Sequence, residues 1–351
     1  MLTFRGTRQT RRKKFTGHMI VKLRGAVLLA ATLLSVVVGG CGLDSPMTTV
    51  LPKSDLGHLI HDLFMNIAIW AVVIFVIVEG LLIFAVWRFR DRPGRGEPRA
   101  VHGHLGLEIG WTLVPVLIVM AIAAPTISVI FRTQAESTDD ALEVAVIGRQ
   151  WWWEFRYPEL GITTANELHV PVGRPIRLSL TSTDIIHSFW VPQLGGKRDL
   201  IPGRENALTF NVQVPGEYVG QCAEFCGISH ANMRLLVVAE RAEEFEAWAE
   251  RMAAPPAEPT DEAARGRQAF LASGCVACHT IQGVSQSVVG PDLTHFGSRK
   301  TLASGLLPNS PEHLARWIAN PKAVKPGALM PKLPLTEEQI SALVAYLGSL
   351  K

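Results

Sequence analysis

Residues 222–233 of this 351-residue chain read CAEFCGISHANM, and the interpretation of the fold starts from this loop. Soft thiolate and thioether sulfurs combined with imidazole favour copper over hard metals such as magnesium. Two thiolates in one loop, Cys222 and Cys226, can each bridge a pair of copper ions. His230 and Met233 follow in the same loop, so a second histidine must come from elsewhere in the chain.

His187 is the best candidate for that histidine, because it stands at the end of a predicted strand in the segment DIIHSFW. His169 is the competitor, but it lies in an alternating Leu-His-Val strand, which favours a structural role. The alternative for Cys222 and Cys226 is a disulfide, as is common in exported proteins. The His and Met that follow, in this order and spacing, argue against it.

The segments around the loop predict a β-sandwich. Short strands are expected at 142–147, 176–181, 207–212 and 235–238, separated by Pro-Gly turns. A helix is expected at about 240–252, and the run AAPPAEP from Ala253 predicts a stiff Pro-rich linker. The fold class of this part is therefore an all-β sandwich followed by a linker at 253–260.

Two apolar runs precede the sandwich, at 65–87 and 109–131. Each is near or above the ~20 residues that cross a bilayer. Five arginines lie between the runs, which places that loop in the cytoplasm by the positive-inside rule and both ends of the hairpin outside. Hydrophobic residues make up 48% of the chain, and a net charge of +3 is too small to suggest nucleic acid as a partner.

The N-terminus predicts a lipoprotein signal. It is basic, continues with an apolar run at 26–38, and reaches Gly39-Gly40-Cys41. Cys41 would be lipidated and would become the mature N-terminus. The alternatives are an uncleaved first membrane helix or a twin-arginine signal at Arg11-Arg12, and Met19 could be the true start.

The C-terminal part contains Cys275-Val276-Ala277-Cys278-His279, the attachment signature of c-type haem. Cys275 and Cys278 would bind haem covalently, and His279 would ligate the iron on the proximal side. A redox dithiol or half a zinc site are the alternatives. Met330 is the only methionine after the linker and is the expected sixth ligand, with His295 and His313 as alternatives.

Helix signals support an all-α domain here. Ser310-Pro311 predicts a helix start, and Thr336 to Gln339 matches a capping box.

The copper loop, the His187 segment, the Trp151 to Trp153 run and the helix hairpin together resemble cytochrome c oxidase subunit II, over about residues 54–252. Gly266, Phe270 and Tyr346 resemble positions where small cytochromes c pack their terminal helices, and Gly290-Pro291-Asp292-Leu293 also resembles that family. The resemblance implies a cupredoxin-like sandwich with a dinuclear copper A centre. Its implied ligands are the side chains of His187, Cys222, Cys226, His230 and Met233, and the backbone carbonyl of Glu224. The Glu224 carboxylate would also reach a magnesium ion shared with subunit I.

The resemblance also concerns three further residues, Trp151, Glu108 and Glu79. Trp151 matches the electron-entry aromatic, although a tryptophan at the membrane surface is the alternative and at least two of the three adjacent tryptophans are expected to be packing. Glu108 matches the carboxylate at the mouth of a proton pathway, while a helix dipole also favours an acid in a first turn. Glu79 carries no implied role.

The predicted architecture is a multidomain membrane protein with a two-helix transmembrane hairpin, a cupredoxin-like sandwich and an all-α cytochrome c domain. The expected boundaries are 1–40 for the signal, 41–135 for the N-terminal segment and hairpin, 136–252 for the copper domain, 253–260 for the linker and 261–351 for the cytochrome.

The implied function is that of subunit II of a proton-pumping oxidase in a bacterial plasma membrane, with its redox domains on the outer face. Electrons would pass from haem c to copper and then, near Trp151, into subunit I. Expected partners are subunits I and III, membrane lipid, and an upstream cytochrome or cytochrome bc complex. The rivals are a copper-containing nitric oxide reductase subunit and a copper delivery or storage lipoprotein. The copper cysteines argue against a quinol oxidase subunit, and a nitrous oxide reductase would need a propeller domain for which the chain has no room.

Overall fold

The computed structural model describes residue 32 and residues 45–90, 102–134 and 140–351. Residues 46–351 form one compact unit. The expected signal segment, Cys41 and most of the arginine-rich loop lie outside the described residues.

Two long helices follow the described N-terminal turn: α1 (Asp55–Phe89) and α2 (Leu105–Thr133). Both contain the predicted apolar runs and have the length and composition of membrane spans. Each contains an 18-residue stretch of high mean hydropathy, 2.8 in α1 and 2.5 in α2. At ~1.5 Å per residue α1 is about 52 Å long, well beyond the ~30 Å hydrocarbon core of a bilayer. Its first turns can therefore extend outside the membrane.

Those first turns of α1 are packed against the β-sandwich. Ser54 caps the helix by accepting from the Gly57 N–H at 2.9 Å, and its hydroxyl donates to the Leu194 carbonyl. Asp55 accepts from the Asn211 N–H at 2.7 Å, and Leu56 is buried beneath Gly195. The membrane anchor and the sandwich are thus joined by a buried, hydrogen-bonded contact.

The middle of the chain forms two packed sheets, as the short-strand pattern predicts. The first has the order β3-β2-β1-β5-β8 and the second the order β4-β10-β9-β6-β7. Their bounds are β1 (Leu142–Arg149), β2 (Trp152–Tyr157), β3 (Ile162–Ala165), β4 (Glu167–Pro171), β5 (Pro175–Ser182), β6 (His187–Trp190), β7 (Arg198–Leu200), β8 (Asn206–Asn211), β9 (Gly216–Cys222) and β10 (Arg234–Glu240).

Buried and partly exposed residues alternate along the strands, which explains why the two sheets pack face to face. In β5 every second residue from Ile176 to Leu180 is buried, while the residues between them are partly exposed. β1 pairs parallel with β5, β4 pairs parallel with β10, and the other ladders between these ten strands are antiparallel. Trp153 and Phe189 meet edge to face in the core at 5.8 Å. Helix α3 (Ala242–Ala253) then closes the sandwich with Trp248.

The C-terminal part is helical, as predicted, with α4 (Asp261–Ala272), α5 (Pro311–Ala319), α6 (Pro321–Val324) and α7 (Glu337–Ser349), and one small hairpin, β11 (Thr301–Leu302) with β12 (Leu307–Pro308). Ser310 caps α5, and Thr336 with Gln339 forms the capping box of α7. Helices α4 and α7 cross at Gly266, where a Cβ atom would lie only 1.9 Å from the Ala342 carbonyl oxygen.

Candidate copper and haem centres

The copper loop connects the end of β9 to the start of β10, so the antiparallel ladder brings its two ends together. The Cys222 N–H donates to the Met233 carbonyl at 2.9 Å, which closes the loop. Cys222, Cys226 and Met233 are buried, with at most 2% of each exposed. Both cysteines are free thiols rather than a disulfide.

The side chains expected to bind copper lie together in this loop and at the start of β6. Cys222 Sγ lies 3.9 Å from His187 Nδ1, and Cys226 Sγ lies 3.5 Å from His230 Nδ1. Met233 Sδ is 3.9 Å from Cys226 Sγ, and the Glu224 carbonyl oxygen is 3.2 Å from Cys222 Sγ. The ligand atoms of His187, Cys222 and Cys226 all lie within 4.8 Å of one another. Each thiol therefore has one imidazole beside it and one weaker donor.

His187 is oriented by a carboxylate that the sequence reasoning missed. Its Nε2 lies 2.8 Å from Asp184 Oδ1, which leaves Nδ1 facing Cys222. Burial lowers the pKa of His187, but the hydrogen bonds to Asp184 and Cys222 outweigh burial and raise it. A carboxylate behind a ligating histidine fixes its tautomer and increases its basicity.

The contact between the two thiols shifts their pKa values in opposite directions. The hydrogen bond with Cys226 lowers the pKa of Cys222 to about 4, against the effect of burial, while the same contact and burial raise the pKa of Cys226. One thiolate thus forms readily, and a second negative charge beside it needs a cation. This donor set fits soft metal ions, and copper in particular when imidazole is included.

His169 lies outside this cluster, in agreement with the structural role expected for it. Its Nδ1 is 2.9 Å from Glu240 Oε2, and its ring stacks on Trp248 at 4.4 Å. The carboxylate side chain of Glu224 is exposed beside the copper loop.

The three adjacent tryptophans have different environments. Trp151 is 8% exposed, and its indole Nε1–H donates to the Cys226 carbonyl at 2.7 Å. Trp152 faces Arg149, and Trp153 is fully buried against Phe189 and His187. Trp153 is therefore a packing residue, while Trp151 contacts the copper loop directly.

The cytochrome part contains an apolar cavity that fits a haem. Cys275, Cys278, His279 and Met330 all line it, together with apolar side chains that include Phe270, Phe296, Leu314, Trp317 and Leu343. The His279 Nδ1–H donates to the Pro291 carbonyl at 2.8 Å, so Nε2 is the nitrogen left for a metal. Burial lowers the pKa of His279, which favours the neutral, ligating imidazole.

Two further features of this cavity agree with a haem. A Cβ atom on Gly290 would lie 2.7 Å from His279 Cε1, so only glycine allows this approach. Arg299 also lines the cavity, and its buried Nε has no hydrogen-bond partner within the described residues. A carboxylate of a bound haem would supply that partner.

The three candidates for the sixth ligand of the haem iron differ in whether they line the haem cavity. Met330 lines the cavity that contains Cys275 and His279, whereas His295 and His313 do not. His295 is buried elsewhere, and His313 Nδ1 lies 3.0 Å from Ser310 Oγ at the start of α5.

The cytochrome part is docked on the sandwich beyond the Pro-rich segment. The buried carboxylate of Glu167 accepts from the Lys300 N–H at 2.9 Å and from the Thr301 N–H at 2.7 Å. Ser304 donates to the Arg234 carbonyl at 2.9 Å, and Ser229 donates to the Pro326 carbonyl at 2.6 Å. Trp151 lies on this interface and forms part of the wall of the haem cavity.

Nothing in the sequence pattern singled out Glu167, because a lone acid at a strand start has no distinctive spacing.

The two carboxylates Glu108 and Glu79 lie in the long helices at the places that the sequence predicts. Glu108 lies in the first turn of α2, where its Oε1 accepts from the His104 N–H at 3.3 Å. Glu79 is half-buried in the middle of α1.

Comparison with known proteins agrees with these three parts. A family model for the cytochrome c oxidase subunit II transmembrane domain matches residues 52–129. A model for the periplasmic domain of the same subunit matches residues 161–240, and a cytochrome c model matches residues 263–351.

Curated relatives match over most of the chain. It is 37% identical over 332 residues to cytochrome c oxidase subunit 2 of Alkalihalophilus pseudofirmus, covering 92% of this chain and 96% of the relative. Identity to the Bacillus subtilis subunit is 31%, covering 93% and 97%. The crystal structure of the periplasmic domain of cytochrome oxidase subunit II from Bradyrhizobium japonicum matches at 32% identity, covering 33% of this chain and 96% of that chain, with a TM-score of 0.32.

The hairpin, sandwich and cytochrome part thus define a membrane-anchored electron-transfer subunit with a periplasmic domain. The chain belongs to the cytochrome c oxidase subunit II family and carries a fused cytochrome c domain, which indicates haem c. As a member of that family it is a subunit of a cytochrome c oxidase and associates with other oxidase subunits.

Proposed function

We propose that this chain receives electrons at its own haem and passes them through a dinuclear copper A centre to subunit I of a proton-pumping oxidase. The observation that carries the proposal is the position of Trp151, which lines the haem cavity and also donates a hydrogen bond to the copper loop. When bound, the haem and the copper pair each supply a one-electron redox centre.

The residues of the chain hold these centres. Cys275 and Cys278 would attach the haem, and His279 and Met330 would ligate its iron. The copper ions would be held by the side chains of His187, Cys222, Cys226, His230 and Met233 and by the Glu224 carbonyl. The Glu224 carboxylate, exposed beside the copper loop, would be free to reach a magnesium ion at the contact with subunit I.

The position of Trp151 changes one expectation about the route. The sequence-based route had the electron leave for subunit I near Trp151. The contacts of Trp151 instead favour a place on the entry side, between the haem cavity and Cys226. Because the cytochrome part covers Trp151, which is 8% exposed, a diffusible donor would reach the haem rather than Trp151.

The membrane part would supply anchorage and a proton-pathway contact. We place both spans in a bacterial plasma membrane, with the redox domains outside and subunits I and III alongside. Glu108, in the first turn of α2 on the side of the arginine-rich loop, would lie at the entrance of a proton pathway. An upstream cytochrome or cytochrome bc complex would be the donor, and lipidation of Cys41 remains a prediction.

Loss of a bridging thiolate tests the serial order. In the purified oxidase, Cys222→Ser should abolish the dinuclear copper spectrum while an external donor still reduces the haem. The reason is that no residue expected to bind copper is among the described residues that line the haem cavity. Oxygen consumption should fall severely. Oxygen consumption at the normal rate without the copper pair would show that electrons bypass this domain.

A further inference from the structure

Lys325 is the most unusual charged residue at the interface between the two redox domains. It follows α6 in the cytochrome part, yet it is only 4% exposed. Its Nζ donates to the Trp151 carbonyl at 2.5 Å and to the Ala303 carbonyl at 3.3 Å. Lysine is almost never fully buried unless it is paired. The two carbonyl contacts of Lys325 compensate for the burial of its amino group at this interface.

These contacts form a continuous link from the haem cavity to the copper loop. Lys325, Ala303 and Trp151 all line the haem cavity. Lys325 binds the backbone of Trp151, and the indole of Trp151 binds the Cys226 carbonyl at 2.7 Å. Cys226 is one of the two thiols expected to bridge copper.

The residues after Lys325 hold Trp151 from the same side. A Cβ atom on Gly327 would lie 3.3 Å from Trp151 Cη2 and 3.2 Å from Ile228 Cγ2, so the backbone at Gly327 packs against both. Gly327 has φ +82°, a conformation that favours glycine. The neighbouring Pro326 carbonyl accepts from Ser229.

We propose that Lys325 is a positioning residue for electron transfer between the two centres, holding Trp151 against the copper loop on one side and the haem cavity on the other. This inference rests on the proposed function. One electron would be supplied by the bound haem and taken up by the bound copper, and Lys325 would exchange no proton or bond in the transfer. Lys325 can make these hydrogen bonds in either protonation state, because an ammonium and a neutral amine can both donate, although the ammonium binds the carbonyls more strongly.

The test compares three variants in the complete purified oxidase. Lys325→Met keeps the length of the side chain but removes the donor, and Lys325→Arg restores one. Lys322→Met is the matched control, because Lys322 lies one turn earlier and is exposed. Haem-to-copper transfer is measured by rapid-mixing or flash spectroscopy, along with both reduction potentials and both spectra.

We expect Lys325→Met to slow haem-to-copper transfer severalfold, because the loss of both carbonyl contacts frees the Trp151 backbone to move away from the copper loop. The haem and copper spectra should be retained. Lys325→Arg should recover much of the rate, and Lys322→Met should match the unmodified protein. Hydrogen exchange on the full chain gives a readout apart from turnover: the backbone around Trp151 and residues 226–228 should exchange faster in Lys325→Met alone.

Glu167→Gln separates positioning from simple domain docking. It weakens a different anchor of the same interface, one that makes no contact with Trp151 among those described. Equal slowing in Glu167→Gln and Lys325→Met would overturn the proposal, as would a slowing fully explained by shifted potentials. Unchanged transfer in Lys325→Met would also overturn it. If the unmodified protein itself shows no haem-to-copper transfer, the proposed function fails instead.

Discussion

The Trp151 indole N–H donates to the carbonyl oxygen of Cys226 at 2.7 Å, so the aromatic residue on the haem side is bonded to the copper loop itself. The two residues are 75 positions apart in sequence. A buried tryptophan usually finds a hydrogen-bond partner for its indole N–H, and here the Cys226 carbonyl is that partner. This contact defines the first prediction.

Trp151→Phe keeps an aromatic ring but removes this donor. Among the described contacts the Cys226 carbonyl then keeps the hydrogen bond from Gln150 Nε2, so it is not left unpaired. The expected cost is that of one hydrogen bond, about 0.5–1.5 kcal/mol. We expect a less stable copper domain and slower haem-to-copper transfer, measured by chemical unfolding and rapid spectroscopy. Trp152→Phe, whose indole faces Arg149 instead, should behave like the unmodified protein; equal effects in both variants would contradict a specific role for the Trp151 N–H.

Asp184→Asn should weaken copper binding without removing a ligand. The carboxylate orients His187 through Nε2, and loss of such a partner lowers metal affinity by about 10–100-fold. Competition with a copper chelator would measure this change. Asp199→Asn is the control, because Asp199 is exposed on β7. Copper affinity unaltered in Asp184→Asn would mean that the loop alone fixes His187.

Met233→Leu tests the weak thioether ligand. The substitution nearly preserves volume in a fully buried site, so the fold should be retained. Copper should remain bound, and the reduction potential should rise because a neutral donor to the oxidised metal is lost. Electron paramagnetic resonance measures whether copper remains bound, and redox titration measures the reduction potential. Met252→Leu, at the edge of the sandwich core, should leave spectrum and potential unaltered.

Met330→Ala tests the sixth iron ligand. Met330 lines the cavity with His279, so its loss should remove the sulfur-to-iron charge-transfer band and lower the haem potential. Haem should stay attached through Cys275 and Cys278. Persistence of the band would exclude Met330 as the ligand, and loss of haem would show that the cavity itself needs this side chain.

Gly266→Ala should disrupt the cytochrome domain. A Cβ atom there would lie 1.9 Å from the Ala342 carbonyl and 2.5 Å from Tyr346 Cβ, so α4 and α7 would have to separate. We expect destabilisation of about 3 kcal/mol or more and poor haem incorporation, measured by thermal unfolding and haem content. Gly348→Ala, with nothing near its Cβ position, should be close to neutral.

The amino-acid sequence by itself determined the parts of the molecule that depend on local patterns. Apolar length predicted α1 and α2, alternation predicted the strands around Leu178, and the caps at Ser310 and Thr336 predicted two helix starts. The cysteine motifs predicted both redox sites, because ligand spacing within one loop is local information. His187 was selected over His169 by its position at a strand end, and the structure brings His187 to Cys222.

Only the tertiary structure decided how these parts meet. Asp184, Glu167 and Lys325 act through partners far away in sequence or across a turn, and single acids and lysines carry no periodic or motif signal. The place of Trp151 between the haem cavity and Cys226 depends on the docking of the cytochrome part against the sandwich. That docking is held by buried hydrogen bonds between backbone and side chains more than 90 residues apart, which no local pattern encodes.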